Sequence, residues 1–225
     1  MDTNKKIIAL VGLIGSGKDT VADYLQNIHH FRRESFARTL KDAVSSVFGW
    51  DRELLEGRTE YSRQWREEVD EWWAERLDMP NLTPRWVLQH WGTEVVRGNF
   101  HSDIWIASLE NKLRNNKDNV VITDCRFLNE IAAVQNQGGL VVRVRRGDDP
   151  EWLPLAETYN TTNNNNEKEA TKKILNSLGV HQSESGWAGC NFDYVLYNDY
   201  SLSKLYEQVN DLLEDHQIPT PNHPS

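Results

Sequence analysis

The sequence predicts an α/β fold in which a parallel sheet carries helices on both faces. Three observations indicate it: short continuous apolar runs, helical segments between these runs, and a glycine-rich loop directly after the first of them. Continuous apolar runs are typical of strands that are buried on both faces, as in parallel sheets. The 225 residues, 38% of them hydrophobic, suffice for one such domain with insertions.

Strands and helices alternate along most of the chain, as the change from continuous to helical apolar spacing shows. The predicted strands are Lys6–Val11, Glu34–Ala37, Asn119–Thr123, Leu140–Val144 and Asp193–Leu196. The predicted helices that follow them are Asp19–Ile28, Leu40–Phe48, Asn129–Asn136 and Ser201–Glu214.

Two insertions interrupt this alternation within a domain expected to span residues 1–217. The first, residues 36–105, is rich in tryptophan, and apolar residues at helical spacing predict one amphipathic helix from Trp65 to Leu77. Thr83 and Pro84 predict an N-cap and the first position of a helix through Val95, and another helix is predicted at Asp103–Leu113.

The second insertion, residues 145–190, contains a polar, asparagine-rich run at residues 158–169. Such a composition cannot bury enough apolar surface to hold one conformation, so we expect this run to be mobile. We also expect a disordered tail at residues 218–225, where proline and polar residues alternate.

Composition and charge exclude several classes of protein. The net charge of −9 argues against a surface that coats nucleic acid. No apolar run approaches the roughly 20 residues of a membrane span, and the first residues do not form a signal peptide. Two cysteines are too few for a disulfide framework or a zinc site. We therefore expect a cytoplasmic protein that binds neither nucleic acid nor membranes.

The loop after the first strand fits the phosphate-binding pattern G-x-x-x-x-G-K. Its glycines let successive backbone N–H groups turn toward phosphate oxygens, and its lysine would reach the β- and γ-phosphates of ATP. The predicted nucleotide-binding residues are Gly12, Gly15, Ser16, Gly17, Lys18, Asp19 and Thr20.

Asp19 stands where this pattern usually has Ser or Thr, whose hydroxyl binds Mg²⁺. A carboxylate is a good oxygen ligand for Mg²⁺, so we predict that Asp19 takes the metal role and that Thr20 caps a phosphate. The alternative is that Asp19 only stabilises the positive N-terminus of the helix.

Polar residues after the third strand predict a second site, because ligands bind at the carboxyl ends of parallel strands. Asp124 would orient the acceptor or a metal-bound water, and Arg126 would hold a phosphate with two parallel hydrogen bonds. Glu130, one helical turn later, would orient Arg126 or form an ion pair with it. The alternative is a structural Asp–Arg pair at a strand end.

Arginines also follow the fourth strand, where Arg143 and Arg145 share one face. Arg145 and Arg146 are predicted to belong to a lid and to stabilise charge on the transferred phosphoryl group, ahead of Arg143. A solvated basic edge is the alternative.

A polar helix face in the first insertion carries Arg85, Gln89 and Thr93 at intervals of four residues, with Gly92 beside them. Such a face would offer a phosphate clamp and an amide that reads a base edge. Polar helix faces are also commonly just solvated, so both interpretations stay open.

Taken together, these motifs resemble those of the bacteriophage deoxynucleoside monophosphate kinases. The resemblance extends roughly from Ile7 to Leu213. The segments that carry it are Gly15–Thr20, Phe36–Asp42, Leu88–Glu94, Asp103–Trp105, Thr123–Glu130, His181–Glu184 and Asn198–Asp199.

The resemblance implies Mg²⁺-dependent transfer of the γ-phosphoryl group of ATP to a deoxynucleoside 5′-monophosphate, for phage DNA synthesis. It implies that residues 36–105 bind the monophosphate and that residues 145–190 form a lid. The acceptor-site residues that it implies are Lys41, Arg85, Gln89, Gly92, Thr93, Trp105, Asp124, Arg126, Glu130 and Glu184.

Other interpretations of the same residues remain open. Dephospho-coenzyme A kinases and other small-metabolite kinases open with a similar loop, and a non-catalytic ATP-binding module would also need one. Trp72 and Trp73 would stack on a nucleobase, pack within the helical insertion or line a homodimer seam.

Overall fold

A single five-stranded parallel sheet organises the computed structural model, which describes residues 6–114 and 116–218. The strand order is β2-β3-β1-β4-β5. The strands are β1 (Ile7–Val11), β2 (Arg32–Glu34), β3 (Val120–Ile122), β4 (Leu140–Arg145) and β5 (Tyr194–Tyr197). The predicted α/β class with a parallel sheet is thereby confirmed.

Strand β1 lies at the centre of the sheet because its five apolar residues are all buried. It pairs with β3 on one side, Ile7 opposite Val120, and with β4 on the other, Ala9 opposite Val141. All strands run in the same direction, so the loops that follow β1, β3 and β4 meet at one edge of the sheet.

Contacts divide the described chain into two compact units, residues 6–35 with 116–218, and residues 36–114. The first unit contains the sheet and its helices. These helices are α1 (Lys18–His29), α8 (Leu128–Asn136), α9 (Leu153–Thr161), α10 (Asn165–Ser177), α11 (Gln182–Ser185) and α12 (Leu202–Asp215). Helices α1 and α12 bury their apolar residues, among them Leu25, Val209 and Leu212, in one core with β1 and β4.

The second unit contains helices and no strand within its described residues, and it corresponds to the first predicted insertion, continued to residue 114. Its helices are α2 (Arg38–Phe48), α3 (Arg52–Glu56), α4 (Glu60–Trp65), α5 (Glu71–Leu77), α6 (Pro84–His90) and α7 (Ile104–Arg114), with a π-helical segment at Trp91–Gly98.

Tryptophans form much of the core of this second unit. Trp50 stacks on Phe48 with ring centroids 4.4 Å apart, and Trp73 contacts the same Phe48 ring while its indole N–H donates to the Phe48 carbonyl over 3.1 Å. Trp73 is therefore a core residue, whereas Trp72 is 63% exposed.

The single helix predicted from Trp65 to Leu77 is wrong, because the chain breaks between α4 and α5. Asp70 caps α5 by accepting a hydrogen bond from the backbone N–H of Trp73 over 3.1 Å. Its second carboxylate oxygen accepts from the Trp50 indole over 2.7 Å. The helical spacing of apolar residues continues across this break because both short helices pack on the same core, so the spacing by itself predicts one helix.

The helix predicted from Pro84 to Val95 begins as expected, with the Thr83 hydroxyl accepting from the Trp86 N–H over 3.1 Å. It does not stay α-helical, because it becomes a π-helix at Trp91. Gly92 lies just inside that change, and a Cβ there would lie 2.8 Å from a methyl carbon of Leu40. Over two turns, the apolar spacing of the two helix types cannot be told apart.

Residues 158–169, whose mobility stays a prediction, are largely helical. Helix α9 ends at Thr161 and α10 begins at Asn165, with Asn164 accepting from the N–H of Asn166 over 3.0 Å as an N-cap. Asparagine is a favoured N-cap residue, and α10 packs against α9.

Two boundaries also differ from the prediction. The second strand is Arg32–Glu34 rather than Glu34–Ala37, since the polar edge strand is defined by its pairing with β3 and carries no apolar run. Of the predicted tail, residues 219–225 lie outside the described residues, whereas Ile218 is buried in the core. Throughout the described ranges, every helix is too short or too polar to cross a bilayer.

Candidate active site

The loop between β1 and α1 has a backbone that only glycine allows at its key positions. Gly12 has a φ of 141°, and a Cβ there would lie 2.3 Å from the Val144 carbonyl oxygen. Gly17 has a φ of 104°, and its Cβ would lie 2.4 Å from Nδ2 of Asn198. Both the dihedral angle and the close approach therefore exclude a side chain.

Asn198, directly after β5, fixes the shape of this loop. Its side-chain amide donates to the Ser16 carbonyl over 2.9 Å, and its backbone N–H donates to the Arg145 carbonyl over 2.8 Å. Ser16 itself is buried, and among the described residues its hydroxyl has no hydrogen-bond partner. An orphaned hydroxyl inside a phosphate loop fits an oxygen of a bound nucleotide.

Lys18 folds back onto its own loop. Its ammonium group donates to the carbonyls of Gly12 and Leu13 over 2.9 and 2.8 Å. Burial and, after it, the charge of the nearby Arg126 guanidinium together lower the pKa of Lys18 to about 8, against the opposing effect of Asp19. Lys18 is thus poised to bind an anion, because phosphate contacts favour its charged form.

We expect ATP binding near pH 8 to take up about half a proton, since about half of the Lys18 side chains are neutral before the phosphates arrive. Below the pKa of about 8 the lysine is already charged, so the uptake should fade as the pH drops toward about 6.5. Calorimetry in two buffers of different ionisation enthalpy measures this uptake. The control is Lys18→Arg, which stays charged, and equal uptake in that variant would contradict the prediction.

Asp19 is open to solvent, with 82% of its side chain exposed. Arg33, the middle residue of β2, forms ion pairs with Asp19 and with Asp23, the latter over 2.8 Å. Within the described residues, no group of three His, Cys, Asp or Glu could hold a metal by itself. Nucleotide-bound Mg²⁺ needs only one or two carboxylates besides phosphate and water oxygens, so Asp19 fits that role.

Glu130 holds the backbone that carries Arg126. It is only 2% exposed, and its Oε2 accepts from the N–H groups of Arg126 and Phe127 over 2.9 and 3.2 Å at the start of α8. The Arg126 guanidinium is exposed and forms no ion pair within the part of the chain that the structure describes. The structural pair of Asp124 with Arg126 is therefore absent there, and Arg126 remains available to a ligand close to Lys18.

The arginines after the fourth strand have different surroundings. Arg143 pairs with Asp149 and lies 5.0 Å from the Trp187 ring, which marks it as structural. Arg145 lies 3.6 Å from the same Asp149 carboxylate. Arg146 is exposed and has no ion-pair partner among the described residues, so it is, like Arg126, an open cation.

Several of the predicted acceptor-site residues lie in the second unit. Arg85, Gln89 and Thr93 are all exposed. Trp105 is 8% exposed, and its indole N–H donates to the Gly92 carbonyl over 3.0 Å. In addition, Lys41 pairs with Glu56 over 2.7 Å.

The acceptor-binding roles implied for those residues stay predictions, as does the role of Glu184, which is half-buried in α11. Sequence reasoning missed Arg33, which no motif marks, and it named Asn198 only as part of a resemblance. The positions of both depend on which strands become neighbours at the loop.

A phosphate loop at the carboxyl edge of a parallel β2-β3-β1-β4-β5 sheet, with Arg126 near its lysine, defines a P-loop kinase. Over 220 residues the chain is 31% identical to an Acanthamoeba polyphaga mimivirus protein described as "Putative deoxynucleotide monophosphate kinase". The match covers 90% of this chain and 93% of that protein. The chain belongs to the family of this viral protein.

Solved structures of small-molecule kinases are similar at a lower level. A dephospho-CoA kinase from Campylobacter jejuni has a TM-score of 0.45 at 14% identity, covering 94% of this chain and 97% of that one. A shikimate kinase from Acinetobacter baumannii, in complex with shikimate, has a TM-score of 0.42 at 15% identity, covering 96% and 97%. TM-scores below 0.5 do not decide between acceptors. No family model matches the chain.

Proposed function

We propose that this protein transfers the γ-phosphoryl group of ATP to a deoxynucleoside 5′-monophosphate and so forms the diphosphate. The observation that carries the proposal is Arg126, an arginine without an ion-pair partner among the described residues, close enough to Lys18 to lower its pKa. A protein that only binds a nucleotide has no need of this second cation. The relationship to the mimivirus protein supports the choice of acceptor.

The chemistry requires positioning and charge neutralisation more than covalent help. The loop N–H groups would hold the triphosphate, and Lys18 would exchange two loop carbonyls for phosphate oxygens. Arg126 would neutralise charge on the phosphoryl group in transfer, and Arg145 and Arg146 would do so from a lid formed by residues 145–190. The acceptor phosphate is already an anion, so the reaction needs no strong general base.

Asp19 would hold Mg²⁺, which when bound neutralises charge on the β- and γ-phosphate oxygens. We expect Asp19→Asn to raise the Mg²⁺ concentration for half-maximal activity about tenfold, because an amide is a weaker ligand than a carboxylate. The matched control is Asp23→Asn, which removes another ion-pair partner of Arg33 and should leave the Mg²⁺ dependence unchanged. Full activity with an unchanged Mg²⁺ dependence in Asp19→Asn would refute the metal role and leave Asp19 a helix-terminus residue.

The proposed function is tested with purified protein, Mg²⁺-ATP, the four deoxyribonucleoside and four ribonucleoside monophosphates, and dephospho-coenzyme A. We expect diphosphate products from one or more deoxyribonucleoside monophosphates. Phosphorylation of dephospho-coenzyme A but of no nucleotide would identify a small-metabolite kinase instead. ATP binding without transfer to any nucleotide would favour a non-catalytic module.

A further inference from the structure

Two arginines of the second unit lie side by side. The backbone N–H of Arg85 donates to the Arg66 carbonyl over 2.9 Å, and the Arg85 guanidinium pairs with Glu67 over 2.8 Å. Arg66 has no ion pair within residues 36–114, and its Nε is buried without an acceptor. Burial, and then the charge of Arg85, lower the pKa of the Arg66 guanidinium.

The carboxylates near Arg66 are already engaged by other cations. Glu56 uses Oε2 to bind Lys41 over 2.7 Å and Oε1 to bind Arg52 over 2.6 Å. Although burial alone would raise it, Lys41 and Arg52 lower the pKa of Glu56 to about 2. The carboxylate of Glu67 contacts Arg85. Arg66 is therefore the surplus positive charge of this cluster.

Packing against Gly57, rather than a counter-ion, fixes the Arg66 side chain. A Cβ at Gly57 would lie 2.1 Å from one terminal nitrogen of the Arg66 guanidinium and 2.2 Å from its central carbon. The planar group therefore rests on the bare backbone of Gly57, where any side chain would displace it. Holding an unpaired, half-buried guanidinium in one place is costly unless an anion binds it.

We propose that Arg66, together with Arg85, binds a phosphate monoester, namely the 5′-phosphate of the acceptor. The identity of this ligand rests on the proposed function. The guanidinium fork matches phosphate oxygens in two parallel hydrogen bonds, and a dianion suits two neighbouring cations better than a carboxylate does. Arg85 is free to join because its pair with Glu67 is exposed and contributes little.

The test compares Arg66→Gln with Arg76→Gln, which removes an exposed arginine of α5. Calorimetry measures the binding of deoxynucleoside monophosphates, the same deoxynucleosides without phosphate, and ATP. We expect Arg66→Gln to weaken monophosphate binding about 10- to 100-fold and to change deoxynucleoside and ATP binding less than about twofold. Arg76→Gln should match the wild type for all three ligands.

A second variant, Gly57→Ala, keeps the arginine but displaces its guanidinium, and it should weaken monophosphate binding in the same selective way. If Arg66→Gln does not fold, Gly57→Ala and Arg66→Lys take its place, because a lysine keeps the charge and loses the fork. Unchanged monophosphate binding in the folded variants would overturn the proposal. Equal losses for nucleotide and nucleoside would also overturn it, because they indicate a structural role.

Inorganic phosphate separates this site from the proposed function. In a Lys18→Met background, where the phosphate loop is weakened, phosphate should still raise the melting temperature, and Arg66→Gln should abolish that rise. If phosphate stabilises the protein in this way but the wild type phosphorylates no nucleotide, the anion site at Arg66 is supported and the proposed acceptor is refuted. A rise that persists in Arg66→Gln would refute the anion site.

Discussion

Replacing Lys18 with Met is expected to lower the rate of phosphoryl transfer by about 1,000-fold or more while leaving the folded protein at least as stable. The rate falls because the cation that would contact the β- and γ-phosphates is lost in a site where such charges act strongly. Methionine has a similar length, so it fills the space beneath the loop. Steady-state kinetics with the best acceptor and thermal unfolding measure the two effects.

The stability part of this prediction has a definite pH dependence. The folded-state pKa of Lys18, about 8, lies below its ordinary value of 10.5, so the charged lysine destabilises the folded state at neutral pH. That penalty is fully present below about pH 8 and fades as the pH rises toward 10.5. After the loss of two hydrogen bonds is subtracted, the free energy of unfolding of Lys18→Met should therefore be about 1–2 kcal/mol higher than that of the wild type near pH 7. The difference should be smaller near pH 10. A variant that is inactive only because it is unfolded would contradict the prediction.

Replacing Arg126 with Gln is expected to lower the transfer rate about 100-fold and to weaken ATP binding far less. Arg126 has no ion pair to lose within the described residues, so the fold should tolerate the change. The physical reason for the slower transfer is that its charge would act on the phosphoryl group in motion more than on the bound nucleotide. Transfer rates under saturating ATP, compared with the dissociation constant for ATP, separate the two effects.

Arg126→Gln should also leave a signature at Lys18. Because the Arg126 charge helps to lower the pKa of Lys18, its removal should raise that pKa and reduce the proton uptake on ATP binding near pH 8. Lys204→Gln removes an equal charge from the exposed surface of α12 in the same unit and serves as the matched control. A normal transfer rate in Arg126→Gln, or an uptake as large as in the control, would show that Arg126 does not act beside Lys18.

Much of the fold was predictable because parallel strands and phosphate loops leave strong local patterns. Strand β1 is a run of apolar residues that only a sheet covered on both faces would bury, and Gly12 and Gly17 stand at positions where the loop needs glycine. The wrong elements all lie where local patterns compete. Asp70 is a polar residue among apolar residues at helical spacing, so the pattern predicts a continuous helix. Its hydrogen bonds to Trp73 and Trp50 show that it is a helix cap.

The candidate site was predictable in its cations but not in their partners. Lys18 and Arg126 follow from a motif and a strand end, whereas their proximity depends on β1 and β3 being neighbours. The ion pair of Arg33 with Asp19 likewise depends on β2 lying at the edge of the same sheet. Glu130 was expected to act on the Arg126 side chain, and the structure shows it holding the Arg126 backbone instead.

The sequence by itself therefore determined the parallel α/β class, because apolar strands alternate with helices along the chain. It also determined the phosphate loop and the cations that follow the strands, since each of these is encoded within about ten consecutive residues. The tertiary structure alone decided which cations of each unit are already paired. Arg143 is bound to Asp149, Lys41 is bound to Glu56, and Arg126 and Arg66 lack ion-pair partners among the described residues. An ion pair forms between residues distant in the chain when folding brings them within a few ångströms, and no local pattern records that distance.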